Sequence, residues 1–129
     1  MSEVPLIGVG VVIIEKGRLL LIKRRNEPGK GLWAVPGGKV RIGETLKAAA
    51  RREASEETGL DVDVGEVAWV GEHISDTRHI VLIDFYATAA GGYLAASDDA
   101  AEAEWVELDM VDSYPLTPTM HDLIEELRE

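Results

Sequence analysis

Glu53, Glu56 and Glu57 stand at i, i+3 and i+4 in the segment GKVRIGETLKAAARREASEETGL, residues 38–60. On a helix those offsets gather the carboxylates on one face. The segment predicts a helix: nothing breaks one from Thr45 to Thr58, and Gly59 stands where a left-handed C-cap would end it. Leu46, Ala50 and Ala54 share much of that face, with Lys47, Arg51 and Ser55 opposite, so the acids flank the stripe that should meet the core. Like charges so placed repel by roughly 0.2–0.5 kcal/mol per pair on an exposed helix, and burial raises the cost. A divalent cation is the simplest compensation. Oxygen donors without Cys or His point to Mg²⁺ or Mn²⁺ over zinc. A bare EASEE string would read as a solvated acidic helix, and the surrounding residues reverse that reading.

Gly38, five residues, Glu44, seven residues, Arg52-Glu53, then Glu56-Glu57 and Gly59: this spacing resembles the signature box of the Nudix hydrolases. One position departs, since the family usually has a larger aliphatic where Ala54 stands; that is a packing position. The likeness continues along the chain, and LLLIKRRNEPGKGLWAVPGGKV with the late AEWVELD is most similar to ADP-ribose pyrophosphatase-like members. The resemblance implies an α+β fold, an α/β/α sandwich with a mixed sheet. It also implies a Mg²⁺ (or Mn²⁺) site held by the Gly38 carbonyl, Glu53, Glu56 and Glu57, with Glu44 nearby. Glu53 is the leading general base, with Glu56 as the alternative, and Arg52 should hold the box carboxylates in place. Family members often draw another ligand or base from a later loop, and Glu102, in the stretch Asp98, Asp99, Glu102, Glu104, is the candidate here.

The implied reaction is hydrolysis of a nucleoside diphosphate linked to another moiety, with ADP-ribose giving AMP and ribose 5-phosphate as the leading case. A proline about sixteen residues past the box marks many ADP-ribose hydrolases. In this chain that position is Asp76, and no proline occurs between Pro36 and Pro115. The rival reading is a nucleoside triphosphate pyrophosphatase acting on oxidised dNTPs. A non-catalytic nucleotide sensor is a third reading, but the box glutamates it would be expected to lack are all present.

Other residues could contact substrate. Lys23, Arg24 and Arg25 form the densest basic group; strand alternation places Lys23 and Arg25 on one face, and Arg25 could clamp a phosphate. Trp33, just before Pro36-Gly37-Gly38, could border the pocket, where base stacking is worth roughly 1–3 kcal/mol. Glu44 could serve both the site and the helix dipole. Phe85, Tyr86 and Trp105 read as core, and His73 and His79, flanking Asp76-Thr77-Arg78, read as structural.

These residues need a scaffold, and 129 residues with 46% apolar content suit a single domain over residues 1–129. The sequence holds no cysteine, so disulfides, thiolate metal sites and a cysteine nucleophile are excluded. A formal charge of -11 disfavours DNA or RNA polymers and anionic membranes, while leaving a small nucleotide substrate open. No stretch reaches the roughly 18 apolar residues that span a bilayer, and the apolar start lacks signal-peptide flanks, so the expected location is cytoplasmic. A homodimer is compatible with the sequence.

Apolar runs at Leu6–Ile14 and Leu19–Lys23, joined by Glu15-Lys16-Gly17-Arg18, predict a hairpin. Further strands are expected at Trp33–Val35, Leu60–Val64, Val67–Ser75, His79–Ala90, Tyr93–Ala96 and Glu102–Glu107, with Gly91-Gly92 as a turn. A second, amphipathic helix is expected over Thr119–Arg128, after a loop bracketed by Pro115 and Pro118.

Overall fold

The computed structural model describes residues 4–129. Strand β1 (Leu6–Glu15) turns into β2 (Arg18–Arg24) through Lys16 and Gly17, both at positive φ (53° and 76°). A two-residue turn of that kind matches the twist of an antiparallel pair, here in the register Glu15↔Arg18. Short strands β3 (Trp33–Ala34) and β4 (Gly37–Lys39) lead to helix α1 (Leu46–Thr58). Then follow β5 (Leu60–Ile74), β6 (His79–Gly92), β7 (Ala100–Glu107), a 3₁₀ turn over Leu108–Ser113 and α2 (Met120–Leu127).

The sheet runs β3-β2-β1-β6-β5, with β4 added to the start of β1 and β7 to the other edge of β2. Among the described strands β1 and β6 pair in parallel and the remaining ladders are antiparallel, so the sheet is mixed. Alternation along the strands feeds two apolar layers. Val9, Val11, Ile13, Leu20, Val62 and Phe85 meet Ala49, Ala50 and Ala54 of α1 on one side. On the other, Val12, Leu19, Leu21, Trp33, Val35 and Ala68 meet Met120, Leu123 and Ile124 of α2. The architecture is the expected α+β sandwich.

The ends of α1 follow local chemistry. Thr45 Oγ1 accepts the Ala48 N–H at 3.1 Å as N-cap, and Gly59 closes the helix at φ 75°. Ala50 and Ala54 are fully buried as expected, but Leu46 lies in the exposed first turn and Ala49 takes the core position. The small buried residues let α1 lie close to the sheet, which is how Ala54 fits where a larger aliphatic was expected.

Four expectations change. The segments Leu60–Val64 and Val67–Ser75 are one strand, β5, because bulges around Val64–Trp69 absorb the irregularity at Gly65 without breaking the pairing to β6. Gly91 and Gly92 are not a turn; they extend β6 opposite Asp61 and Leu60. Tyr93–Ala96 is not a strand either. Instead Ala95 N–H donates to the Thr58 carbonyl and Ser97 N–H to the Glu57 carbonyl, satisfying the end of α1. Finally, Gly37–Lys39, where Pro36-Gly37-Gly38 was expected only to break regularity, pairs with Gly8–Gly10 as β4.

Candidate active site

Strand β4 and helix α1 meet where the box residues converge. Arg52, half-buried on α1, is the hub: its Nε and Nη2 reach both Glu44 oxygens at 2.7 and 3.0 Å. Its Nη1 donates to Glu53 Oε1 at 2.5 Å and to Glu56 Oε1 at 3.2 Å, and Nη2 also reaches the Lys39 carbonyl at 3.0 Å. The planar fork suits this task because it offers several donors in fixed directions. Its hydrogen bonds to Glu44 are the main reason the Glu44 carboxyl is held down at about 2, and the same bonds raise Arg52 above its usual range. Glu44 also accepts the Arg41 N–H, so it joins the loop to the helix.

The other box acids are less compensated. Glu57 is 2% exposed and accepts the Gly37 N–H at 2.8 Å. Burial is the main cause that pushes its carboxyl up to about 8, and the negative charges of Glu53 and Asp99 add to it. Burial likewise raises Glu53, against the opposing pull of Arg52. Glu53 lies flat against Gly38: a Cβ there would be 2.5–2.7 Å from its carboxyl atoms. Only a residue without a side chain lets β4 and this carboxyl approach so closely.

The donor set fits a hard divalent cation. It is all oxygen, its four glutamates outnumber the two guanidiniums that reach them, Arg52 and the exposed Arg41, and two of its acids hold protons too tightly for exposed carboxyls. Among the described residues, no three acidic or histidine side chains are already gathered around a common point for a cation. Arg52 draws Glu53 and Glu56 to itself, and the Gly37 N–H draws Glu57.

The structure thus brings Gly38, Glu44, Arg52, Glu53, Glu56 and Glu57 together, and treats the other sequence candidates differently. Glu102 is opposite Lys23 in the β2–β7 ladder and bonds its Nζ at 3.1 Å, at the exposed sheet edge. The late acid whose field reaches Glu53 and Glu57 is Asp99, whose carboxyl accepts from Asn26 Nδ2 at 3.1 Å. Arg25 donates to the Ala100 carbonyl at 3.2 Å, and the cation whose charge acts on Glu57 is its neighbour Arg24. The β2–β7 ladder shifts register between Lys23 and Arg24, just before Arg25 leaves the strand.

Trp33 is a correction. Its ring is 6% exposed and packs edge-to-face on Tyr114, with centroids 5.2 Å apart and planes at 84°. The Pro115–Pro118 loop pins its backbone on both sides, through the Trp33 N–H to the Pro115 carbonyl and the Thr117 N–H to the Trp33 carbonyl. Trp33 is a core ring and offers no face for stacking. Of the three expected core aromatics, Phe85 is buried and Trp105 half-buried, whereas Tyr86 is 41% exposed.

A NUDIX domain family model matches residues 4–127. The chain belongs to the Nudix family. It is 42% identical over 109 residues to an ADP-ribose pyrophosphatase of Methanocaldococcus jannaschii, covering 81% of this chain and 63% of that protein. An oxidized purine nucleoside triphosphate hydrolase of Danio rerio is 36% identical over 107 residues, with coverages of 78% and 65%. The chain therefore spans less than two thirds of the length of these curated relatives. Among solved structures, a MutT NUDIX hydrolase from Burkholderia pseudomallei superposes with a TM-score of 0.90 at 32% identity, over 97% of this chain and 99% of that one. In this Nudix domain the box spans the β4–α1 junction just described.

Proposed function

We propose that residues 1–129 act as a single Nudix domain that hydrolyses a nucleoside diphosphate derivative with Mg²⁺ (or Mn²⁺), ADP-ribose giving AMP and ribose 5-phosphate. The observation that carries this reading is the cluster of Glu53, Glu56 and Glu57 beside Gly38, in which Arg52 bonds Glu53 and Glu56, an exposed Arg41 reaches Glu56 at 3.7 Å, and burial still raises Glu53 and Glu57. When bound, a divalent cation supplies charge neutralisation of the diphosphate oxygens and acidification of water. Gly38, Glu53, Glu56 and Glu57 would hold it. Among the described residues Glu53 Oε2 has no hydrogen-bond donor, since Arg52 takes Oε1. Burial raises the proton affinity of this carboxyl, so Oε2 can take the proton of the attacking water as the P–O–P link breaks. Arg52 keeps Glu53 and Glu56 in reach of the reacting group, and Glu44 fixes Arg52.

The archaeal pyrophosphatase supports ADP-ribose as substrate. Two observations favour the second reading, hydrolysis of oxidised dNTPs: Asp76 stands where a proline marks many ADP-ribose hydrolases, and the zebrafish relative acts on oxidised purine triphosphates. Side-by-side kinetics on ADP-ribose, dGTP and an oxidised dGTP decide between them. The expected result is the highest kcat/KM on ADP-ribose, with AMP as product. A higher kcat/KM on a triphosphate, with release of inorganic pyrophosphate, replaces the first reading by the second. A cytoplasmic protein that handles small nucleotides, not nucleic-acid polymers or membranes, is consistent with the -11 charge and with the absence, among the described residues, of a helix long and apolar enough to cross a membrane.

A further inference from the structure

The two long free edges of the sheet are β5 and β7; among the described residues no strand pairs with the outer side of either. A free edge is a template for another strand, and charged side chains are a common defence. Strand β7 has that defence, with Glu102, Glu104 and Glu107 among its eight residues. Strand β5 lacks it at its far end. Its bulges stop at Trp69, so residues 69–74 stay in regular register with β6. That stretch contains no proline or lysine, and its one acid, Glu72, is bonded to His79 at 2.6 Å.

The same end of β5 is apolar to an extent that a solvated edge does not need. Val70 and Ile74 are 57% and 64% exposed. Cross-strand register joins them to a wider patch on the sheet face that α1 only partly covers: Ile7 is opposite Val81, Ile83 opposite Val70, and Phe85 opposite Val67. Of these, Ile7, Val67 and Val70 are exposed and Val81 and Ile83 half-buried. Apolar side chains contiguous across three strands and running out to an unpaired edge mark a protein contact.

We propose that the occupant is a second copy of this chain, its β5 antiparallel to the first about a two-fold axis. At a formal charge of -11 two copies repel at long range, so they can meet only where charge is sparse or complementary, and β5 offers both. Exposed Asp63 and Glu66 lie toward its start, and Arg78 lies in the hairpin that closes its end; none of the three has an ion-pair partner among the described residues. Antiparallel self-pairing sets the acidic part of each copy against the Arg78 hairpin of the other. The register follows as well. A two-fold axis normal to the sheet pairs one residue with itself. At Glu72 it would oppose two carboxylates, and at Val70 the ladder would run at once into the bulges before Trp69. Gly71 remains, with Trp69 opposite His73 of the second copy and Val70 opposite Glu72 of the second copy. The contact is isologous, the commonest way a soluble chain dimerises.

Light scattering coupled to size exclusion, over a concentration series reaching about 100 µM, tests the pairing independently of catalysis. Wild type should approach twice its 14.0 kDa. Val70→Lys, at an exposed position, should keep a native circular dichroism spectrum and run as a single copy. Arg78→Glu or Glu66→Lys alone should weaken the dimer by about tenfold or more, and the two together, which exchange the charges, should restore it. Amide hydrogen exchange gives a second readout in wild type: residues 69–74 should slow as concentration rises, while β7 does not change. A wild-type mass of one copy throughout the series overturns the inference. So does a dimer that Val70→Lys leaves intact, or one that the paired charge exchange fails to restore in a natively folded variant.

Discussion

Replacing Asp84 by Asn should stabilise the protein in alkaline solution and not in acid. In the folded chain burial raises this carboxyl from its usual 3.8 to about 7. The sign follows from linkage: below about pH 4 the group is protonated folded and unfolded, so its acidity costs nothing. As pH rises toward 7 the unfolded chain ionises and the folded chain does not, so wild type loses stability progressively, and above pH 7 the full cost applies. At about 1.4 kcal/mol per tenfold change in acid strength, the gap between 3.8 and about 7 amounts to about 4 kcal/mol. Residual solvent contact of the carboxyl offsets part of this, leaving an expected gain of about 2–4 kcal/mol for Asp84→Asn at pH ~8.5 relative to pH ~4. Urea unfolding of both proteins at the two pH values measures it. Glu53 and Glu57 titrate in both proteins and cancel in the comparison, and any fixed cost of burying the amide is the same at both pH values. A wild-type-to-variant difference that moves by less than about 0.5 kcal/mol with pH refutes the reasoning.

Activity should vanish with excess chelator and return on adding Mg²⁺ or Mn²⁺; turnover unaffected by chelator contradicts the site. Glu56→Gln and Glu57→Gln, which remove charge at nearly constant shape, should each cut turnover by about two orders of magnitude or more while circular dichroism stays native, and exposed Ser55→Ala should leave it unchanged. Asp99→Asn should lower kcat several-fold because Asp99 is the late acid coupled to Glu53 and Glu57, whereas Glu102→Gln, which only loses the Lys23 pair, should match wild type. Gly38→Ala should lower activity sharply with little loss of thermal stability, since its methyl group would collide with the Glu53 carboxyl, 2.5 Å away.

What the sequence determined by itself was local. The hairpin through Lys16 and Gly17, the Thr45 and Gly59 ends of α1, and the shared face of Glu53, Glu56 and Glu57 follow from backbone preferences and helical period within a few residues. The box spacing added the family and the fold. Tertiary structure decided whatever depends on partners distant in the chain. Gly37–Lys39 is a strand because β1 lies beside it, β5 stays continuous because β6 pairs across its bulges, and Tyr93–Ala96 is used up in capping α1. Trp33 looked like a pocket wall because it precedes Pro36 closely, yet Tyr114 and the Pro115–Pro118 loop bury it. Asp84 carried no signal within an apolar run, and alternation alone assigns it a face but not a neighbour. Its isolation arises because two other strands place Gly10 and Trp69 against it, and cross-strand register is fixed by the packing of the whole sheet, not by any short stretch of residues.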